Sequence, residues 1–217
     1  MEAKAQGGLF SGGVIYVLLA TIAYTIAAIG GASSRDNKEF LIYIGVMVVL
    51  IAIVGYVHYR VRLSIGALWA MSIWGALHMA GGLVPVPESW PINGTIRVLY
   101  SWWIIPPHYL KYDQVVHAYG FGVTTLICWQ AIRAAVRPIG QLLPTFGVLT
   151  LCVAGGMGFG AMNEIIEFVA TLLVENTNVG DYNNTGWDLV SNMAGSLTAA
   201  ILIRIAHSSE MKDALAR

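Results

Sequence analysis

Apolar residues fill six long stretches of the chain, at about 13–32, 40–58, 64–84, 113–133, 143–174 and 187–206. Short polar breaks separate most of them: Ser33-Ser-Arg-Asp-Asn37, then Arg60 and Arg62, then Arg133, Arg137 and Pro138. Several stretches reach the roughly 20 residues that a helix needs to cross a bilayer. The pattern predicts an all-α fold, a polytopic transmembrane helical bundle of about six spans. No internal repeat is visible, so residues 1–217 are expected to form a single integral membrane domain. The first stretch, Val14 to Ala32, exceeds a usual signal-peptide core and is expected to be retained as a span.

The loop between the third and fourth stretches, 85–112, differs from the others. It opens on Val84-Pro-Val-Pro and carries Tyr100, Trp102, Trp103, Tyr109 and Tyr112. Aromatic residues at that density suit a segment lying at the membrane–water interface. It is expected across the mouth of the bundle, as a lid or as an ordinary aromatic belt.

Composition narrows the class. Charged residues make up 11% of the chain, against about 25% in soluble domains. Twelve basic and twelve acidic residues balance, and no basic patch points to nucleic acid. Cys128 and Cys152 fall inside spans, where thiols pack as small apolar groups. Positive charge is unevenly spread. Lys4, Arg60, Arg62, Arg133, Arg137, Arg204, Lys212 and Arg217 lie on one side, while Arg35, Lys38, Arg97 and Lys111 lie on the other. Eight against four places both termini in the cytoplasm and the 85–112 loop outside.

Ionisable residues within the apolar stretches carry the candidate chemistry, because burying them in lipid is costly. Asp113 and His117 are spaced i,i+4, and Glu164 and Glu167 i,i+3, so each pair shares a helix face. The orientation puts His78, Asp113, His117, Glu164, Glu167, Asp188 and Asn192 in the outer third of the membrane. Glycines share their stripes, at Gly120, Gly156, Gly160 and Gly195, and small residues let helices approach closely. The polar side chains are therefore expected to face helix–helix contacts. Lys111, beside Asp113, is the nearest cation in sequence. Carboxylates and imidazoles without a thiolate suit a divalent ion such as Zn, Mn, Fe or Mg. The expected metal ligands are His78, Asp113, His117, Glu164, Glu167 and Asp188. The alternative for each is a hydrogen-bonded packing residue, or a helix cap in the case of Asp113. Asp181 to Gly186 resembles the start of a calcium loop, but Asn192 occupies the position of its closing Glu, which excludes calcium.

The motifs Leu77-His78 with Gly81-Gly82, Tyr112-Asp113-x3-His117 and Glu164-Ile-Ile-Glu167-Phe168 follow in order, then Gly180-Asp181 and Trp187-Asp188-x3-Asn192. Together they resemble the YjdF-like family of bacterial inner-membrane proteins, and more loosely VanZ-like proteins, over Leu77 to Ser196. Asn163, Phe168 and Asn192 depart from that family's usual Tyr, Trp and acidic residue. The resemblance implies a bacterial six-helix membrane protein and names no activity.

Three functions follow from these readings. The first is a metal-dependent hydrolase acting on a membrane lipid or lipid-linked substrate, with metal-bound water as nucleophile and Glu164 or Glu167 as general base. Ser191 and Ser196 have no assigned base, which disfavours covalent catalysis. The second is proton, ion or small-solute transport, disfavoured by the one-sided cluster. The third is a non-catalytic accessory subunit whose polar network fixes helix packing.

Overall fold

A computed structural model describes residues 12–106 and 109–215. Lys4 and Arg217, which enter the charge count above, lie outside the described residues. Six long helices dominate: α1 (Gly12–Ser34), α2 (Lys38–Val61), α3 (Ile65–Leu83), α4 (Tyr112–Val136), α5 (Phe146–Leu173) and α6 (Tyr182–Ala206). A short α7 (Ser208–Leu215) follows, which the apolar pattern does not foretell.

Helix starts follow local side-chain chemistry. The side chains of Asn37, Ser64, Thr145 and Asp181 accept hydrogen bonds from backbone N–H groups of the first turns of α2, α3, α5 and α6. Each satisfies a donor that the helix itself leaves unpaired. Asp181 explains why α6 begins five residues before the apolar run at 187. Its carboxylate accepts from Asn184 N at 3.0 Å, so a polar first turn is helical before the lipid-compatible part starts.

The helices alternate in direction, as two levels of packing show. At one end, Ala28 and Ala32 of α1 meet Phe40 and Tyr43 of α2, Met79 of α3 and Ala170 of α5. At the other end, Val17, Leu63 and Leu68 pack together, and Trp129, Leu149, Ala200 and Ile203 form a second cluster. Among the described residues, five helices, α1, α2, α4, α5 and α6, are long and apolar enough to cross a membrane. The expected sixth, α3, is not among them, because Trp69, Trp74, His78 and four glycines dilute its apolarity. Its 19 residues still rise about 28 Å, and Leu68 and Met79 join it to both packing levels.

The tightest approach joins α4 and α6. Gly122 and Gly195 face each other there, and a Cβ built on Gly195 would enter the backbone carbonyl of Ala118. Small residues at a crossing bring side chains on both helices within hydrogen-bonding reach.

The 84–111 segment contains more regular structure than an interfacial aromatic stretch requires. A 3-10 turn (Leu99–Ser101) precedes β1 (Trp103–Ile105), which pairs antiparallel with β2 (Leu110–Lys111). Isolated bridges join Pro85 to Val98 and Ile92 to Trp102. These bonds pair backbone groups that would otherwise be buried against the bundle end. The aromatic residues divide accordingly: Trp103 is buried and Tyr100 partly so, whereas Tyr109 is 76% exposed.

Candidate metal centre

The helix ends at the 84–111 level bring five of the six expected ligands together. Asp113 and His117 come from the first turns of α4, Glu164 and Glu167 from the last turns of α5, and Asp188 from the second turn of α6. His117 is the hub. Its Nε2 lies 3.6 Å from Asp113 Oδ1 and 4.0 Å from Glu167 Oε1, and its Nδ1 lies 3.6 Å from Glu164 Oε1. Two overlapping groups offer ligand atoms within 4.8 Å of one another: Asp113, His117 and Asp188, and His117, Glu164 and Glu167.

The surroundings are largely closed to solvent. Asp188 and Asn192 are fully buried, and His117 nearly so. Asn192 Oδ1 lies 3.0 Å from His117 Nδ1, an acceptor that holds the ring with Nε2 directed at Asp113 and Glu167. Such a bond fixes tautomer and ring orientation in metal-binding histidines. Asn192 thus has an orienting place where the resembled family has an acidic residue. Gly160 makes room for it, since a Cβ there would lie 2.6 Å from Asn192 Nδ2.

Several buried polar atoms have no hydrogen-bond partner among the described residues: both oxygens of Glu164, Asp188 Oδ1 and Asn192 Nδ2. Buried carboxylate oxygens without donors call for a proton or a cation. Glu167 differs, because Asn163 Nδ2 donates to its Oε1 at 2.8 Å.

The cation nearest to Asp113 in sequence does enter the cluster. Lys111 is buried, with its ammonium 3.4 Å from Asp113 Oδ2 and hydrogen-bonded to Asn184 Oδ1. β2 and the first turn of α4 place it there, its backbone N–H donating to Gln114 Oε1 at 2.9 Å. Asn184 in turn donates to Asp188 Oδ2 at 2.6 Å. Sequence reasoning missed Asn184, although its i,i+4 spacing from Asp188 and the Asp181 cap were available signals. With Lys111 and a protonated His117 counted, four carboxylates still outnumber the positive groups.

His78 stands apart from both ligand groups. Its Nδ1 meets the Tyr100 hydroxyl, and its ring stacks on Trp74 at 5.5 Å between centroids. Phe40 and Tyr43 complete this aromatic wall. Tyr100 descends from the 84–111 segment to reach it, and Gly81 leaves the space for its ring. Burial first, and the nearby carboxylates second, push the Tyr100 phenol well above its ordinary pKa. Ser101 also ties the segment down, donating to Asn178 Oδ1 at 3.1 Å in the α5–α6 connection.

No curated protein and no solved structure matches the chain. One family model matches residues 14–209, a range that contains every side chain of this cluster. The chain therefore belongs to the family described as "Predicted membrane protein (DUF2238)".

Proposed function

We propose that this protein is a YjdF-like bacterial inner-membrane enzyme that binds a divalent metal ion at the His117 cluster and hydrolyses a membrane lipid or lipid-linked substrate. The single observation that carries the metal reading is the set of unpartnered buried carboxylate oxygens on Glu164 and Asp188, facing an imidazole already held by Asn192. Asp113, His117 and Asp188 would hold one ion, with His117, Glu164 and Glu167 as the overlapping alternative. A bound metal supplies an acidified water and polarises an ester or phosphoester. Glu164 or Glu167 would act as general base, and the hydrogen bond from Asn163 would orient the latter. The Lys and Arg bias supports an outward-facing site and cytoplasmic termini.

Apolar clusters around Trp129 and Leu63 close the opposite level of the bundle, which disfavours a transport path. Lys111 favours a second reading, a metal-free polar network in an accessory subunit, since it already neutralises part of the cluster. Metal analysis of protein purified in detergent separates the two. The enzyme reading expects about one ion per chain, lost in His117→Ala and Glu164→Ala, and chelator-sensitive release of product from lipid vesicles. A folded wild-type protein that takes up no Zn, Mn, Fe or Mg on titration would leave only the accessory network.

A further inference from the structure

A second feature of the bundle is an elongated cavity of about 520 Å³ between α1, α2, α3, α4 and α5. Its size falls in the ordinary range of roughly 300–1,000 Å³ for ligand pockets. Its walls are mostly apolar, with the polar Thr21, Ser72 and His58 among them, and a carboxylate lines it at one end. There His78, Asn163 and Glu167 line it, and Glu167 belongs to the His117 cluster. The far end is bounded by Val17, Leu63 and Leu68, at the opposite packing level. Along α2 the lining runs from Tyr43 to His58, which corresponds to about 22 Å of helix rise.

The cavity is open at its side. Val49 and Ile53 of α2 and Phe159 and Met162 of α5 line it, yet all four are exposed at the bundle surface. At the cluster end α2 and α5 meet through Phe40, Tyr43 and Ala170. Below that contact they are not a packed pair, which leaves a lateral gap. A hydrocarbon-lined slot of this length, with a lateral opening and a polar end beside the His117 cluster, has the shape of a lipid chain held parallel to the helices.

We infer that the cavity binds one acyl chain of a zwitterionic glycerophospholipid, which enters between α2 and α5 with its ester end at Glu167 and its chain terminus near Leu63 and Leu68. Charge selects this occupant. The end near Glu167 has an excess of carboxylates, while Lys111 is already engaged by Asp113 and Asn184. In the metal-free cluster an anionic polyprenyl phosphate would be repelled there, whereas the ammonium of an amine-bearing head is attracted. The inference deepens the proposed lipid chemistry and rests on that reading for its catalytic meaning; chain binding itself requires no metal.

Photo-crosslinking tests it. Full-length protein in phosphatidylethanolamine-containing nanodiscs is irradiated with a phosphatidylethanolamine probe bearing a diazirine at one acyl terminus, and the labelled peptides are mapped. The expected labels lie on the peptides carrying Leu63, Leu68 and Val17. Thr124→Trp, which puts an indole into the middle of the cavity, should cut that labelling about tenfold, equivalent to ~1.4 kcal/mol of binding. Gly55→Phe is the second obstruction, because a Cβ on Gly55 meets nothing within 4 Å and the fold should tolerate it. Labelling confined to the outer faces of α5 and α6, or unchanged in both variants, would mean surrounding bilayer lipid only and overturn the inference. So would a polyprenyl phosphate probe labelling these peptides in place of the phospholipid. His117→Ala should lose metal and keep the labelling, so failure of the metal reading and failure of the lipid site give different results.

Discussion

Gly195→Ala tests whether the α4–α6 crossing holds the site together. A Cβ at position 195 would lie 2.6 Å from the carbonyl carbon of Ala118 and 2.8 Å from its Cα, and closer still to its oxygen. These are backbone atoms, so no rotamer change relieves the clash. The helices must separate by roughly 1.5 Å to restore ordinary van der Waals contact with that oxygen. Overpacking of this kind costs about 1–3 kcal/mol. The same displacement stretches the 3.0 Å bond from His117 on α4 to Asn192 on α6, and losing it adds about 1 kcal/mol. The gain in helix propensity from Gly to Ala returns at most about 1 kcal/mol. The net loss is about 1–3 kcal/mol. It should lower the melting temperature in detergent and weaken metal uptake, which depends on the same register. Gly158→Ala is the control, since its Cβ meets nothing within 4 Å, and it should be neutral or slightly stabilising. A Gly195→Ala protein as stable as the wild type, with unchanged metal uptake, would refute the close crossing and its role in the site.

Three further outcomes follow from the same geometry. Asn192→Asp adds a carboxylate beside His117 and Gly160, so it should tighten divalent-metal binding in equilibrium titrations while lowering the melting temperature of the metal-free protein. Tyr100→Phe removes the phenol that meets His78 and should cost about 0.5–1.5 kcal/mol in unfolding measurements. In the wild type the raised Tyr100 pKa contributes stability that is fully present below the ordinary tyrosine value of about 10 and is lost as pH rises through the folded value. Alkaline spectrophotometric titration should therefore find a tyrosine that ionises late in the wild type and not in the variant. Arg133→Ala breaks the paired contacts to Glu210 at 3.1 Å; these groups are partly solvent-exposed, so the cost is only about 0.2–1 kcal/mol. Limited proteolysis should then release α7 without disturbing the His117 cluster.

The linear pattern was enough to determine a helical membrane bundle, since lipid leaves backbone polar groups no partners outside the helix. It also marked which side chains are costly in an apolar span, and so pointed to Asp113, His117, Glu164, Glu167 and Asp188. Spacing on single helices put each pair on one face, and alternation of direction put them at one level. Tertiary structure decided what periodicity along one helix cannot express. It separated His78 into an aromatic wall with Tyr100, because the partner comes from a loop 22 residues away. It brought Lys111 into the cluster through a short β ribbon, and made Asn184 its partner through a contact spanning 73 residues. It left the lateral cavity where α2 and α5, joined at one end through Phe40, Tyr43 and Ala170, are not a packed pair. Burial cost is a property of a residue and its span, whereas partners and cavities are properties of the packing between spans.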